Sequence, residues 1–185
     1  MTIKTDVVII GAGPCGLFQV FELGLLDIHA HVVDSLKQVG GQCSELYPEK
    51  PIYDIPALPV CGAQELVDRL MQQIKPFNPD FHLGQTVTTL DKREDGRFTL
   101  ETSSGTRFDT ATVILAAGLG AFQPRRLRAR GAPEWEGRNI NYRIRDKEAL
   151  KGKNIIILGG GDSALDWTLE LHGKAQKITL VHRRT

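Results

Sequence analysis

The chain has 185 residues, 41% of them hydrophobic, and 23 Lys+Arg against 22 Asp+Glu give a net charge of +1. That balance argues against a polybasic nucleic-acid binder, an acidic tail or a basic membrane anchor, and the apolar fraction excludes general disorder. Three cysteines, Cys15, Cys43 and Cys61, form no C-x-x-C pair, which argues against a disulfide framework or a zinc ribbon and fits a reducing compartment. No apolar stretch approaches the roughly 20 residues of a bilayer span. The N-terminus lacks a signal-peptide pattern, so a cytoplasmic protein is expected.

In chain order, Asp6-Val-Val-Ile-Ile10 is an apolar, β-branched run that reads as a strand buried on both faces. It enters Gly11-Ala-Gly-Pro-Cys-Gly16, and residues 17–26 are then almost wholly apolar and long enough for a buried helix. A second strand at 30–33 ends at Asp34 and closes a βαβ unit. Residues 40–60, with Pro48, Pro51, Pro56 and Pro59, are expected to form a long functional loop. Leu66, Val67, Leu70, Met71 and Ile74 recur at helical spacing before Pro76. Three strands of a meander are expected at 86–90, 97–102 and 107–117, parted by the turn signals Glu94-Asp-Gly96 and Ser103-Ser-Gly105. Residues 121–145 hold seven Arg, no Lys and two Glu, a local charge of +5. A buried strand at 154–158 then leads into Gly159-Gly-Gly-Asp-Ser-Ala164, with a last strand at 178–181. His29 and His31 alternate on one strand face, but no third ligand is near in sequence and no metal site is expected.

The two glycine segments form an internal repeat. Gly11 and Gly159 are 148 residues apart, and at that offset Gly13 matches Gly161, Gly16 matches Ala164 and Val33 matches Val181. In such a turn the first glycine allows the tight exit from the strand and the second admits a pyrophosphate. The third, where alanine also fits, lets the helix close on the strand. The helix N-terminus then offers unpaired N–H groups to phosphates. A turn that only packs a helix on a strand is the plain alternative, and two copies in register argue against it.

The second strands end differently. Asp34 suits hydrogen bonds to both ribose hydroxyls and would repel a 2′-phosphate. Its counterpart is His182, followed by Arg183 and Arg184, whose planar guanidinium groups suit a 2′-phosphate and so NADP rather than NAD. A solvated basic chain end is the alternative for that triplet. One site for an unphosphorylated adenosine cofactor and one for NADPH is the arrangement of a flavoprotein reductase.

The chain resembles the two-dinucleotide-binding flavoprotein reductases of thioredoxin-reductase-like layout, and among them the thioredoxin-reductase-like (type 2) ferredoxin–NADP reductases of bacteria. The segments that carry the resemblance are Gly11-Ala-Gly-Pro-Cys-Gly-Leu-Phe18, Gly40-Gly-Gln-Cys-Ser-Glu-Leu-Tyr-Pro48 and Ile52-Tyr-Asp-Ile-Pro56. To these add Ala116-Ala-Gly118 with Phe122-Gln-Pro124, Gly159-Gly-Gly-Asp-Ser-Ala-Leu-Asp-Trp167 and His182-Arg-Arg184. The resemblance implies an α/β protein: a Rossmann-like FAD-binding domain with a three-stranded β-meander over residues 1–120, an arginine-rich connector over 121–152, and the first βαβ unit of a Rossmann-like NADP-binding domain over 153–185. It also implies that the segment completing the FAD domain lies outside these residues. FAD would be held by Gly11, Gly13, Cys15, Gly16, Asp34, Gly41, Gln42, Tyr47, Val87 and Phe122. Cys15 stands where the family often has Thr, so its backbone is the expected contact, as is that of Val87. Tyr47 and Phe122 would flank a flat flavin. NADPH would be held by Gly159, Gly161, Asp162, Ser163, Ala164, His182, Arg183 and Arg184.

Cysteine placement narrows the electron acceptor. Thioredoxin reductases carry C-x-x-C just before the second glycine turn, where this chain has Asn141-Tyr-Arg-Ile-Arg-Asp-Lys-Glu-Ala-Leu150. The glutathione-reductase type places a second cysteine five residues after the first, where Cys43 is followed by Pro48. Without a dithiol, thiol–disulfide exchange is closed to the flavin. Electrons would pass to an acidic carrier, ferredoxin or flavodoxin, steered by the cationic 121–145 segment, or to quinone or oxygen. No catalytic side chain is expected, because the cofactor does the chemistry. A cofactor-binding fragment without turnover is the alternative from a different class, and it predicts exposed apolar surface on strands 154–158 and 178–181. A homodimer is implied by the resemblance alone.

Overall fold

The computed structural model describes residues 2–48, 50–121, 126–144 and 146–183. The chain divides into two units, Met1–Arg125 and Arg126–Thr185. Among the described residues no helix is long and apolar enough to cross a membrane.

The first unit runs β1 (Thr2–Ile10), α1 (Pro14–Gly24), β2 (Ala30–Asp34), α2 (Gln42–Glu45), β3 (Pro51–Ile52), β4 (Cys61–Gly62), α3 (Ala63–Ile74), β5 (Asp80–Leu83), β6 (Val87–Lys92), β7 (Phe98–Thr102) and β8 (Arg107–Leu115). Six of the strands form one sheet in the order β5-β2-β1-β8-β7-β6. The β5, β2, β1 and β8 pairings are parallel, and β6, β7 and β8 form the antiparallel meander expected from the two glycine turns. Consecutive residues of β1 and β2 serve opposite faces. Ile9 and Val32 join Leu17 and Val20 of α1 and Leu66, Val67, Leu70 and Ile74 of α3 in one core, whereas Val8 and Val33 join Leu100 and Phe108 of the meander in another. Burial on both faces is why the β1 sequence is a continuous apolar run rather than an alternating one. The meander is tied back to β1 by Arg97, which bonds the Asp109 carboxylate and donates to the carbonyls of Thr5 (3.0 Å) and Asp109 (2.9 Å).

Two features differ from the sequence expectation. β5 was not foreseen: it has four residues, two of them Asp80 and His82, and its pairing with β2 rather than local propensity makes it a strand. Residues 40–60 are not a plain loop, since they hold the one-turn α2 and the strand β3, which pairs antiparallel with β4 just beyond them.

The second unit holds two 3₁₀ turns (Ala132–Trp135 and Glu148–Leu150), then β9 (Asn154–Leu158), α4 (Asp162–Leu171) and β10 (Lys177–Val181), with β9 and β10 parallel. The arginine-rich segment has local order. The Tyr142 hydroxyl donates to Glu136 Oε1 (2.8 Å) and accepts from the Leu127 N–H (2.7 Å), while the Trp135 carbonyl accepts from the N–H groups of Arg138, Asn139 and Ile140. Apolar side chains of this βαβ unit are exposed as expected, Ile156, Leu158, Leu169, Leu180 and Val181 among them.

Candidate dinucleotide-binding sites

The first site is built where β1, β2 and β8 end together. Gly11 N–H donates to the Val33 carbonyl (2.8 Å), and Ala116 N–H donates to the Ile10 carbonyl (2.8 Å), so the turn is held between both neighbouring strands. Gly11 has φ 113°, and a Cβ there would lie 2.2 Å from the Ala116 carbonyl oxygen. Gly16 is as constrained, since its Cβ would fall 1.9 Å from the Gly11 oxygen. Gly13 is different: an added Cβ would meet only Gly41 Cα, at 3.9 Å, so open space faces the turn.

Helix α1 starts at that open space with Pro14 at its first turn, no capping side chain and no acidic residue, leaving its first N–H groups for an anion. Cys15 is exposed there, while Gly16 is buried. The second glycine pair closes the far side: Gly40 N–H donates to the Ala12 carbonyl (2.8 Å), and Gly41 adopts φ 56° against Gly13. Gln42 is exposed, and its side-chain nitrogen lies 3.7 Å from where a Gly118 Cβ would be. Tyr47 is half-buried with the Lys50 ammonium 5.1 Å from its ring centre. Val87 packs its side chain against the meander core and pairs with Thr102 of β7. Its segment joins the β2 end through Gln85 N–H to the Asp34 carbonyl (2.9 Å).

Asp34 stands at the end of β2 and faces the turn. Its Oδ2 accepts from Ala12 N–H (2.6 Å) and its Oδ1 from Leu36 N–H (2.8 Å). A carboxylate has about four acceptor positions, so both oxygens keep one for a further donor. The Asp34 bond to fully buried Ala12, the Ala116 carbonyl over Gly11 and the Gly40 bond to Ala12 were not assigned from sequence. Ala116 lies 105 residues from Gly11, and no spacing rule links them.

The second turn repeats the first. Gly159 N–H donates to the Val181 carbonyl (3.0 Å) as Gly11 does to Val33, and Leu165 N–H to the Gly161 carbonyl (3.2 Å) as Leu17 does to Gly13 (2.9 Å). Gly161 is open, with nothing within 4 Å of an added Cβ, and Ala164 Cβ would lie 3.3 Å from a Cβ on Gly159. Ser163 is exposed in the first turn of α4. Asp162 opens that helix, where its charge favours the helix end and opposes a phosphate. The His182 ring covers Gly160, whose Cβ would lie 2.2 Å from it, and Arg183 follows as an exposed residue. Phe122 and Arg184 lie outside the described residues.

None of the three cysteines is bonded to another. Burial raises the Cys43 thiol above its ordinary range, with Cys61 and Cys15 adding to the shift, so it is held as a thiol packed beside the first core rather than as a reactive thiolate.

A parallel sheet whose strand ends carry a glycine turn, an uncapped helix and a charged residue on the next strand defines a Rossmann-like α/β protein. The sequence matches the model of the pyridine nucleotide-disulphide oxidoreductases over residues 5–185, and the chain belongs to that family. It is 60% identical over 182 residues to ferredoxin–NADP reductase 2 of Cupriavidus metallidurans, covering 98% of this chain and 50% of that protein. It is 62% identical over 181 residues to ferredoxin–NADP reductase 2 of Cupriavidus necator, covering 98% and 49%. The chain thus spans about half the length of the curated relatives it matches. Among solved structures, Lactococcus lactis thioredoxin reductase is similar at a TM-score of 0.79 and 25% identity, over 98% of this chain and 57% of that one. A cyclohexanone monooxygenase from Rhodococcus sp. Phi1 bound to NADP+ reaches 0.82 at 21% identity, over 99% and 39%, a likeness of fold alone.

Proposed function

We propose that this chain provides the FAD site and the opening of the NADPH site of a cytoplasmic flavoprotein reductase that moves electrons between NADPH and a ferredoxin or flavodoxin. One observation carries the proposal: two turns with the same backbone hydrogen bonds end in opposite charges, Asp34 in one and His182 with Arg183 in the other. The relatives' names, ferredoxin–NADP reductase, agree with that division.

The residues of the first site fit FAD. The open approach between Gly13 and Gly41 is a cradle that any Cβ would narrow, and the N–H groups of Cys15 and Gly16 at the bare start of α1 suit a pyrophosphate. Asp34 would accept from the ribose, while Gly11, Gln42, Tyr47 and the Val87 backbone would line or support the site, and Phe122 joins them on the sequence resemblance alone. When bound, FAD supplies hydride acceptance and one-electron release. The chain's own residues bind, orient and exclude water, and no side chain is assigned as acid or base. In the second unit Gly159, Gly161, Ser163 and Ala164 would admit the pyrophosphate, with Asp162 opening the helix. His182, Arg183 and Arg184 would take the 2′-phosphate. With no C-x-x-C before the second glycine turn and Pro48 five residues after Cys43, the electron exit would run to a carrier rather than through a dithiol.

Flavin uptake and stopped-flow bleaching with NADPH and NADH test both halves. FAD is expected to bind with Asp34→Ala weakening it, and NADPH to bleach the flavin faster than NADH until Arg183→Ala and Arg184→Ala are combined. No FAD uptake overturns the first assignment, and equal rates with the two nucleotides overturn the second. A cofactor-binding chain without turnover of its own is the second reading, favoured by the exposure of Ile156, Leu158 and Leu169. NADPH-to-ferredoxin turnover by residues 1–185 would overturn it.

A further inference from the structure

The edge of the large sheet away from the meander carries a group of side chains that the flavin and NADPH sites do not use. Strands β2 and β5 pair in parallel with His31 opposite Asp80 and Val33 opposite His82. Side chains alternate along a strand, so His29 and His31 share a face of the β2 segment, and Asp80 and His82 share the adjoining face of β5. Parallel register therefore gathers four polar groups that are 51 residues apart in sequence. His29 Nε2 lies 3.0 Å from Asp80 Oδ2, His31 Nδ1 lies 3.6 Å from the same oxygen, and His31 Nδ1 lies 3.1 Å from His82 Nε2.

We infer that His29, His31 and Asp80 form a binding site for a divalent transition-metal cation of the zinc class. One donor atom from each lies within 4.8 Å of the other two. Bonds of about 2.0–2.1 Å to a tetrahedral zinc place donor atoms about 3.3 Å apart. The 3.0 and 3.6 Å separations around Asp80 Oδ2 straddle that value, and an ion would draw the two imidazole nitrogens to the same spacing from within 4.8 Å. Two imidazoles and a carboxylate, with no thiolate, match zinc and its neighbours better than magnesium or calcium, which favour all-oxygen sets. The fourth position would be left to water.

Packing also suits the ion. The Phe108 ring packs on His31 and His82 with centroids 5.8 and 5.0 Å away, which fixes both imidazole planes from behind. A bound ion would clamp the edge strand β5 to β2, the strand that ends in Asp34.

The test uses tag-free protein stripped with a chelator and titrated with Co²⁺ and then Zn²⁺. One equivalent of Co²⁺ is expected to give the visible absorption of a tetrahedral site, which Zn²⁺ then bleaches, and Zn²⁺ is expected to raise the thermal midpoint. His29 and Asp80 are about half exposed, at 49% and 57%, so His29→Ala and Asp80→Asn are expected to fold, as checked by circular dichroism. Each is expected to weaken Co²⁺ binding by at least the tenfold or so that loss of even an outer-shell partner costs. A parent protein with no saturable one-equivalent band overturns the inference, because the four groups then form only a hydrogen-bonded cluster. Affinity unchanged in both variants also overturns it, because binding then lies elsewhere, at His172 or His182. Neither result bears on the flavin or NADPH sites, which are read by flavin uptake and bleaching.

Discussion

At position 16 a glycine lies so close to the preceding turn that an added Cβ would fall 1.9 Å from the Gly11 carbonyl oxygen, whereas the matching position 148 residues later already holds Ala164. The two turns make the same hydrogen bonds to their second strands, Gly11 to Val33 and Gly159 to Val181. They differ in what surrounds them. The first is walled by the Ala116 carbonyl just after β8 and by Gly41, while among the described residues Cβ atoms added to the second would meet the Ala164 methyl and the His182 ring. The glycine demanded at position 16 thus reflects how closely α1 approaches the Gly11 carbonyl of its own turn, whereas the start of α4 leaves room for the Ala164 methyl.

Exchanging the two residues is the sharpest way to break that comparison. Gly16→Ala would press a methyl into buried backbone and is expected to lower the stability of the first unit by about 3 kcal/mol. Ala164→Gly in the looser turn is expected to cost about 1 kcal/mol, the ordinary penalty for glycine in a helix. Urea unfolding of the two variants checks this, and equal losses would show that both turns are packed alike.

The same contrast extends to the strands before each turn. Val8 is fully buried in the core it shares with Leu100 and Phe108 of the meander, while Ile156, its counterpart, is 68% exposed. Val8→Ala is expected to cost about 2–3 kcal/mol through lost burial and a residual void, and Ile156→Ala to stay within about 0.5 kcal/mol. Thermal unfolding reads both changes. A large loss at Ile156 would mean that this face is covered in solution, for instance by another copy of the chain.

What the sequence revealed follows from this difference between local and distant causes. The βαβ order, the 148-residue repeat and the position of Asp34 are local, because glycine spacing and apolar runs are written within about 25 residues. The strand β5 was not foreseen, because Asp80-Phe-His-Leu83 alternates polar and apolar over only four residues, and its pairing with β2 is what makes that short run a strand. Nor was the closeness of Ala116 to Gly11, or the meeting of His29 and His31 with Asp80 and His82, because parallel register joins segments that no spacing rule connects. His182 was singled out for its charge, yet its ring also packs over Gly160, a contact that only the β10 register creates. The binding roles of Phe122 and Arg184 rest on sequence, as these residues lie outside the described ones.

The smallest expected effect compares the charge clusters of the two units. Hydrogen bonding from Arg97, with the charges of Arg97, Arg93 and Lys4, holds the Asp109 carboxyl below its ordinary range. Lys174 and Lys147 hold Glu170 down in the same way, each ammonium 3.1 Å from Oε1. A carboxyl whose value is lower in the folded than in the unfolded chain stabilises the fold above the unfolded value, about 3.9 for Asp and 4.3 for Glu. That contribution is lost as pH falls through the folded value. Asp109 shares Arg97 with the Thr5 carbonyl and so joins the meander to β1, whereas Glu170, on a sparsely buried helix, bridges the partly buried Lys147 and the exposed Lys174. Asp109→Asn is therefore expected to lower the thermal midpoint at pH 7 and to flatten its decline between pH 7 and pH 3, measured against the parent. Glu170→Gln is expected to change both by less, as for most exposed ion pairs. A parent-like acid decline in Asp109→Asn would mean that Arg97 holds the meander to β1 through the Thr5 and Asp109 carbonyls alone, bonds that do not titrate.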